Sequence, residues 1–300
     1  MIYTITFNPA IDYVLNLDKV DFGKTNRSLK EEIYVGGKGI NVSIVLKNLG
    51  IVSKCLGFCG GFVGKEITRI LEEFGCNCDF IKIEQNNRIN IKIKSQEETE
   101  INAQGPYISK EKINELFCKI ENLNDGDTIV LAGSIPNTLP ANIYEQILER
   151  LKNKKIKIVI DATKNLLLNS LKYKPFLIKP NLDELNELFN CNIKTDEELV
   201  FYAKKLKEYG AKNVIISLGG DGAFLLDENN KTYRLNAPKG TLVNSTGAGD
   251  SMVAGFIYGF IKYNDYEKSF KYALATGSAT AFSKWLANCE TINNVFNNLG

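Results

Sequence analysis

The 300-residue sequence contains no histidine. That absence excludes imidazole general bases, every Ser-His or Cys-His catalytic arrangement, and the commonest protein ligand of zinc. Acid–base chemistry here falls to carboxylates, lysine, tyrosine or cysteine. Cysteines number seven, an odd count in a long chain, which argues against a disulfide scaffold. Cys55 and Cys59 stand four apart and Cys76 and Cys78 two apart, so neither pair has the C-x-x-C spacing of a structural zinc site. Charge of one sign is also scarce: 37 Lys and Arg against 35 Asp and Glu leave a formal net charge of +2, too weak and dispersed for a nucleic-acid surface. Lysine pairs such as Lys154-Lys155 and Lys204-Lys205 read as solvated helix faces. No segment approaches the roughly 20 apolar residues that span a bilayer. The run from Val253 to Ile261 is interrupted by two glycines and reads as a buried helix. No basic region precedes the opening Met1-Ile2-Tyr3-Thr4-Ile5-Thr6-Phe7, which reads as a first strand rather than a signal peptide. The expectation is a soluble, cytoplasmic protein with neither a nucleic-acid nor a membrane partner.

What is present is ordinary in amount and ordered in pattern. With 44% hydrophobic and 24% charged residues the chain is a globular type, and at this length it can bury about 75% of its surface as one domain over 1–300. Strand-like segments at 1–7, 52–57, 127–132, 156–160, 176–178 and 213–217 alternate with helix-like ones at 39–49, 64–74, 109–121, 141–152, 181–189, 196–209, 248–262 and 266–284. This is the pattern of a mostly parallel sheet covered by helices. Gly50, Gly75 and Gly210 sit where helices stop. Ser109 and Thr195 sit where they start, and only Thr195, with Glu198 three residues on, completes a capping box. Three stretches, 12–17, 29–35 and 88–103, carry β-pattern without intervening helices. In Asn90-Ile91-Lys92-Ile93-Lys94 apolar and polar residues alternate, as in a half-exposed antiparallel strand, with a turn at Gln96 to Glu98 and a partner strand from Glu100 to Ala103. Such a small sheet cannot bury both faces itself; it is expected to form a lid and the contact of a homodimer.

Four motifs carry chemistry. In Asn244-Ser245-Thr246-Gly247-Ala248-Gly249-Asp250-Ser251 two glycines flank an alanine at the start of an apolar helical run. Backbone N–H groups can converge there on an anion, with Asp250 placed to take a proton from a neighbouring hydroxyl. Gly36-Gly37-Lys38-Gly39-Ile40-Asn41-Val42 offers close backbone approach plus the donors Lys38 and Asn41, although the same residues also describe a glycine-rich turn with an exposed lysine. It is no dinucleotide fingerprint, because Val42 stands where the third glycine belongs, and no Walker sequence exists, because Glu66 follows Gly64-Lys65 and Cys59 occupies the first glycine position. Asp12, in Asn8-Pro9-Ala10-Ile11-Asp12, lies just past a first strand, where open α/β sheets bind ligands; alone it reads equally as a turn residue. In Lys179-Pro180-Asn181-Leu182-Asp183-Glu184, Asn181 and Glu184 share one face of a helix start. They suit a hydrated magnesium ion or, with no ligand at all, a plain helix cap. Ser217-Leu218-Gly219-Gly220-Asp221-Gly222 admits a nucleotide or simply makes a tight turn.

In this order and spacing, together with Arg88-Ile89-Asn90 and Gly133-Ser134, these residues resemble the PfkB (ribokinase-like) family of carbohydrate kinases end to end, and within it the phosphosugar branch. The resemblance implies a ribokinase-like three-layer α/β sandwich with a mostly parallel central sheet and a small β-sheet lid. It implies ATP- and Mg²⁺-dependent phosphorylation of a sugar phosphate, with fructose 1-phosphate the leading acceptor and tagatose 6-phosphate and fructose 6-phosphate the alternatives. Asp250 then matches the catalytic base, and Gly247, Ala248 and Gly249 the anion hole. Asn181 and Glu184 match the magnesium-associated motif. Lys179, Asn181, Ser217, Leu218, Gly219, Gly220, Asp221, Gly222 and Gly249 match nucleotide-binding positions. Asp12, Gly37, Lys38, Asn41 and Asp250 match sugar-binding positions, and Arg27, Arg88 and Ser134 those that meet the substrate phosphate. One departure is Asp161-Ala162-Thr163-Lys164, where many relatives carry Asp-Thr-Ser-Gly. Two other readings stand beside this one: a nucleotide-responsive regulatory scaffold without catalysis, and a nucleoside kinase on the same fold, which Arg88 and the Asn-Pro-Ala-x-Asp start disfavour.

Overall fold

The computed structural model describes residues 1–299. The chain opens with β1 (Ile2–Thr6) and passes into a small sheet through β2 (Ala10–Asn16) and β3 (Lys30–Gly36). Next come α1 (Lys38–Asn48), β4 (Ser53–Gly60), α2 (Gly61–Glu73), β5 (Asn77–Cys78) and β6 (Ile81–Ile83); β7 (Arg88–Lys94) and β8 (Glu98–Ile101) then complete the small sheet. Helices and strands alternate afterwards: α3 (Lys110–Glu121), β9 (Thr128–Ala132), α4 (Ile143–Leu151), β10 (Lys157–Asp161), α5 (Lys164–Leu171), β11 (Leu177–Ile178), α6 (Leu182–Phe189), α7 (Asp196–Glu208) and β12 (Asn213–Ser217). A hairpin of β13 (Ala223–Leu226) and β14 (Thr232–Leu235) follows, and α8 (Ala248–Tyr263), α9 (Tyr266–Ala281) and α10 (Cys289–Asn297) end the fold.

The large sheet runs β14-β13-β12-β11-β10-β9-β1-β4-β5, with β6 also paired to β4. It is parallel from β12 to β5 and antiparallel at the β13–β14 edge. Its central strands are apolar on both faces because both faces are covered. In β9, Ile129 and Leu131 join a core with α3 and α4, while Val130 and Ala132 join a second core with α1, α8 and α9. The strands β10 and β12 divide in the same way, Ile158, Ile160, Val214 and Ile216 to one side, Val159 and Ile215 to the other. Layering thus follows from residue alternation alone.

Most expected elements form within a few residues of their expected bounds. The helix α2 starts three residues earlier than its pattern, at Gly61, because β4 runs straight into it. The α9 pattern runs to residue 284, yet the helix stops at Ala281. The alternation in sequence does not announce α5, α10 or β14. The first opens on Lys164 with φ 52, the second buries only Ile292, and the third is a partly exposed edge strand, so none carries a clear periodic stripe. All seven cysteines are free, and among the described residues no helix is long and apolar enough to cross a membrane.

The small sheet has the order β3-β2-β7-β8. The expected antiparallel pairing of the residue 90–94 strand holds toward β8, which runs Glu98–Ile101 rather than Glu100 to Ala103 because Glu98 already pairs with Lys94, but toward β2 it is parallel, with Asp12 opposite Asn90. Its polarity is turned inside out relative to an ordinary half-buried sheet. Asn90 and Lys92 are buried, at 6% and 9% exposure, whereas Ile33 and Ile101 on the other face are 53% and 58% exposed. The polar face lines two cavities, one shared with strand ends of the large sheet and one with residues 243–246 and 284–286.

Candidate active site

Five adjacent parallel strands end at one place. Thr6 closes β1, Ala132 closes β9, Asp161 closes β10, Lys179 follows β11 and Ser217 closes β12. All five residues line a cavity of about 450 Å³ that is walled on its far side by Asp12, Arg88 and Asn90 of the small sheet. A cleft beyond the carboxyl ends of the strands is where open α/β sheets place ligands.

Two helices point their starts into this cavity, and each is preceded by a glycine that offers no capping side chain, although in α1 the Ile40 amide donates to Thr6 Oγ1 at 2.9 Å. Gly37 precedes α1 at φ 130 and Gly247 precedes α8 at φ 80, both in conformations that favour glycine. Ala248 N of α8 donates to Ser245 O at 3.2 Å, and the amides of Gly249 and Asp250, with no partner among the described residues, stay available to an anion. Gly249 has a second reason to be glycine, since a Cβ there would lie 3.0 Å from Lys179 Nζ. Similarly, a Cβ on Gly36 would lie 2.7 Å from Asp12 Oδ2 and one on Gly37 2.5 Å from Thr6 Cγ2, so the glycine pair at 36–37 makes room for the Asp12 carboxylate and the end of β1.

Asp250 sits in the first turn of α8, 5% exposed, with Asn41 Nδ2 donating to its Oδ2 at 2.8 Å. Burial pushes its carboxyl up to about 6, and Asp161 adds to the rise; Lys38, the Asn41 hydrogen bond and Lys179 pull the other way. A carboxylate tuned into this range is ionised at neutral pH yet basic enough to accept a proton. Lys38 and Lys179 both pair with Asp161, at 3.0 and 3.3 Å. Burial works against the Lys38 charge, but Asp161, Asp250 and Glu184 outweigh it and hold its ammonium above the ordinary range.

On the opposite wall Asn90 Nδ2 donates to Asp12 Oδ1 at 2.8 Å, and Lys92 Nζ stands 3.9 Å from Asp12 Oδ2. Arg88 is anchored by its backbone contacts, Nε donating to Asn8 O and Nη1 to Ala103 O, each at 3.2 Å. Burial lowers its affinity for its proton, against the pull of Asp12. The side-chain oxygens of Asn8, Asn41 and Asn90, all residues of this cavity, are buried with no hydrogen-bond partner. Buried acceptors left this way cost stability and favour a ligand that brings donors.

The structure thus brings together Asp12, Gly37, Lys38, Asn41, Arg88, Ser134, Lys179, Asn181, Glu184, Ser217, Gly247, Gly249 and Asp250, with Ala248 held between the last two glycines. It does not bring Arg27, which lies exposed in the segment between β2 and β3 and lines no part of the cavity. Leu218, Gly220 and Asp221 line a neighbouring depression with Arg234, and Gly219 to Asp221 form a 3₁₀ turn ending at Gly222, φ 93; the tight-turn description of this loop holds in the absence of ligand. Asn181 and Glu184 form a complete capping box at α6: Glu184 N donates to Asn181 Oδ1 at 2.7 Å and Asn181 N to Glu184 Oε2 at 2.8 Å. In this state Asn181 is a helix cap, not a free oxygen donor. The sequence gives Asn90 only as part of Arg88-Ile89-Asn90 and Asp161 only as the start of a divergent loop, neither with a role in the site. An acidic residue ending a strand of an open sheet is the signal that marks Asp161. For Asn90 the signal is its place opposite Asp12, which only the parallel register reveals. A second cavity, bounded by the small sheet and residues 284–286, is lined by Tyr34 and Trp285, whose rings stack at 5.2 Å; Phe74 meets the same indole edge-on at 5.2 Å.

An uncapped helix start, a tuned carboxylate two residues later and a polar wall facing both define an α/β enzyme that handles an anion beside a hydroxyl. The pattern of the pfkB family carbohydrate kinases matches residues 2–293, and the chain belongs to that family, with its ribokinase-like fold. It is 47% identical over 292 residues to a 1-phosphofructokinase of Bacillus subtilis, covering 97% of this chain and 96% of that one. It is 43% identical over 293 residues to a 1-phosphofructokinase of Borreliella burgdorferi, covering 97% and 95%. The crystal structure of Escherichia coli phosphofructokinase-2 in complex with substrates and products superposes with a TM-score of 0.92 over 99% of both chains at 22% identity.

Proposed function

We propose that this protein phosphorylates fructose 1-phosphate to fructose 1,6-bisphosphate with ATP. The observation that carries this reading is convergence in one cavity. The open amides of Gly249 and Asp250 and the Asp250 carboxylate stand on one side, Asp12, Asn90 and Arg88 on the other. A ligand satisfying both walls needs several hydroxyl donors and an anionic group, which describes a sugar phosphate. The identity to two proteins named 1-phosphofructokinase supports the particular sugar.

Asp250 accepts the proton of the attacking hydroxyl. The α8 amides and Lys179, lying against Gly249, meet the charge that spreads over the transferred phosphoryl oxygens. Asp12 orients the ring hydroxyls; Arg88 and Ser134 receive the phosphate already on the sugar. Nucleotide phosphates enter past Ser217 and Asn181. Glu184 keeps its Oε1 outside the capping box, and among the described residues no cluster of three acidic, cysteine or histidine groups is close enough to hold a metal outright. The Glu184 oxygen would hold Mg²⁺ that retains most of its waters, and the ion would supply neutralisation of phosphate charge. The apolar outer face of the small sheet is proposed as the contact of a homodimer in which each small sheet closes over its own cavity as a lid.

An ADP-release assay across fructose 1-phosphate, fructose 6-phosphate, tagatose 6-phosphate and the unphosphorylated sugars tests the assignment. Release fastest with fructose 1-phosphate is expected. Release best with another phosphate would reassign the substrate, and no sugar-dependent release would leave the scaffold reading in its place.

A further inference from the structure

Two lysines and two aspartates share the cavity, and they are not paired evenly. Both ammonium groups go to Asp161: Lys38 Nζ lies 3.0 Å from its Oδ2 and Lys179 Nζ 3.3 Å from its Oδ1. Asp250 makes no ion pair among the described residues; its one side-chain contact is the neutral amide of Asn41. Asp161 is 2% exposed, and a carboxylate buried that deeply persists only when its charge is matched. Here it is matched twice, once by each oxygen.

The two lysines arrive from opposite halves of the site. Lys38 is the first residue of α1, beside Gly37 and one turn from Asn41. Lys179 follows β11 and rests against Gly249 in the opening turn of α8. β10 lies between β9 and β11 in the sheet, so its last residue reaches both. We infer that Asp161 is a positioning residue: it holds one ammonium on the acceptor side and one on the anion side of the transfer point, and so leaves Asp250 without a cationic partner and able to take a proton. The inference builds on the proposed kinase function and assigns a role to the last residue of β10.

The charged groups around Asp250 are few and can be named. Lys38 faces it from α1, Asp161 from β10 and Lys179 from the segment after β11. Glu184 of α6, Asp12 of β2 and Arg88 of β7 line the same cavity. Removing the Asp161 charge takes a repelling carboxylate from Asp250 and frees two ammonium groups that already act on Asp250 through space. Both changes favour the ionised form of Asp250, so its titration moves down. A base held by an ammonium is also displaced from its hydroxyl, and misplacement by about 1 Å costs on the order of 100-fold in rate.

The test is the pH profile of Asp161→Asn and Asp161→Glu beside the wild type, with fructose 1-phosphate and ATP. The wild type is expected to lose activity below about pH 6, following Asp250. In Asp161→Asn, kcat is expected to fall about 100-fold and the acid limb to move down by about one pH unit or more. Asp161→Glu, which keeps the charge, should retain the limb near its original place and recover part of the rate. A limb that stays put or moves up in Asp161→Asn, whatever happens to kcat, overturns the inference, because a merely structural role lowers the active fraction without moving the profile. Should that variant not fold, Asp161→Ser carries the same comparison. Carbon NMR of the Asp250 carboxyl reads the same shift without turnover. A wild type inactive on every sugar phosphate would therefore remove the proposed function, while an unmoved carboxyl titration would remove this inference.

Discussion

At the scale of single residues, Asp250 states the compromise in this site most directly. Its carboxyl titrates near 6 in the folded protein, above its ordinary value of 3.8, chiefly because it is buried. A group raised in this way is ionised at neutral pH at a cost to folding, and the cost disappears as pH falls from about 6 toward 4, where the folded protein takes up the proton first. Asp250→Asn is therefore expected to raise the melting temperature at pH 8, with the gain over wild type shrinking through that window. The same change should lower kcat by about 100-fold or more while leaving sugar-phosphate binding in place, as removal of a general base does. Calorimetry across pH and steady-state kinetics check the two halves; near-normal turnover would take Asp250 out of its role. Arg88 makes a different kind of contribution. Anchored through Nε and Nη1 to backbone carbonyls, it offers the rest of its guanidinium to an anion. Arg88→Ala is expected to raise KM for the sugar phosphate at least tenfold with little change in KM for ATP; equal changes in both would make it a support of the small sheet instead.

At the scale of elements, the start of α6 is closed by its own side chains. Its capping box satisfies the amides of both Asn181 and Glu184, so Asn181→Ala should cost about 1 kcal/mol of stability in the ligand-free protein, the usual worth of such a cap, measurable by urea unfolding. No loss would mean that the box contributes nothing. The capping box at α7, from Thr195 to Glu198, was plain in the sequence because its residue types have one common use at that spacing. Asn181 and Glu184 have two, and the letters alone do not choose. The large sheet was legible for a similar reason: β9, β10 and β12 are short apolar runs whose only stable setting is between two layers. The glycine-rich starts of α1 and α8 were legible because few backbones other than glycine turn so tightly beside a ligand. What stayed hidden depends on pairing across the chain. The partnership of Asp12 with Asn90 spans 78 residues and follows from a parallel register. The clamp at Asp161 joins residues 123 apart. Arg27 shows the converse, a basic residue plausible by position that the fold carries away from the cavity.

At the scale of the whole molecule, the small sheet is the feature that a lone chain leaves unfinished. Its polar face is occupied with chemistry, so its isoleucines point outward, and Ile33 and Ile101 stand more than half exposed. Pairing that face with its copy in a second chain would bury it, and strands with an uncovered apolar face otherwise invite less orderly association. Ile91→Lys, on the outer face and central to β7, is expected to convert a dimer to monomer in analytical ultracentrifugation without unfolding the large sheet. A wild type that sediments as a monomer would contradict the proposed contact. Trp285, the only tryptophan in the chain, touches Tyr34 of the small sheet and Phe74 at the end of α2. An indole seated at that seam is a built-in optical gauge: tilting the small sheet must change what its excited state meets, so the proposed closure is expected to shift intrinsic fluorescence when a sugar phosphate is added, and an unchanged spectrum would count against it.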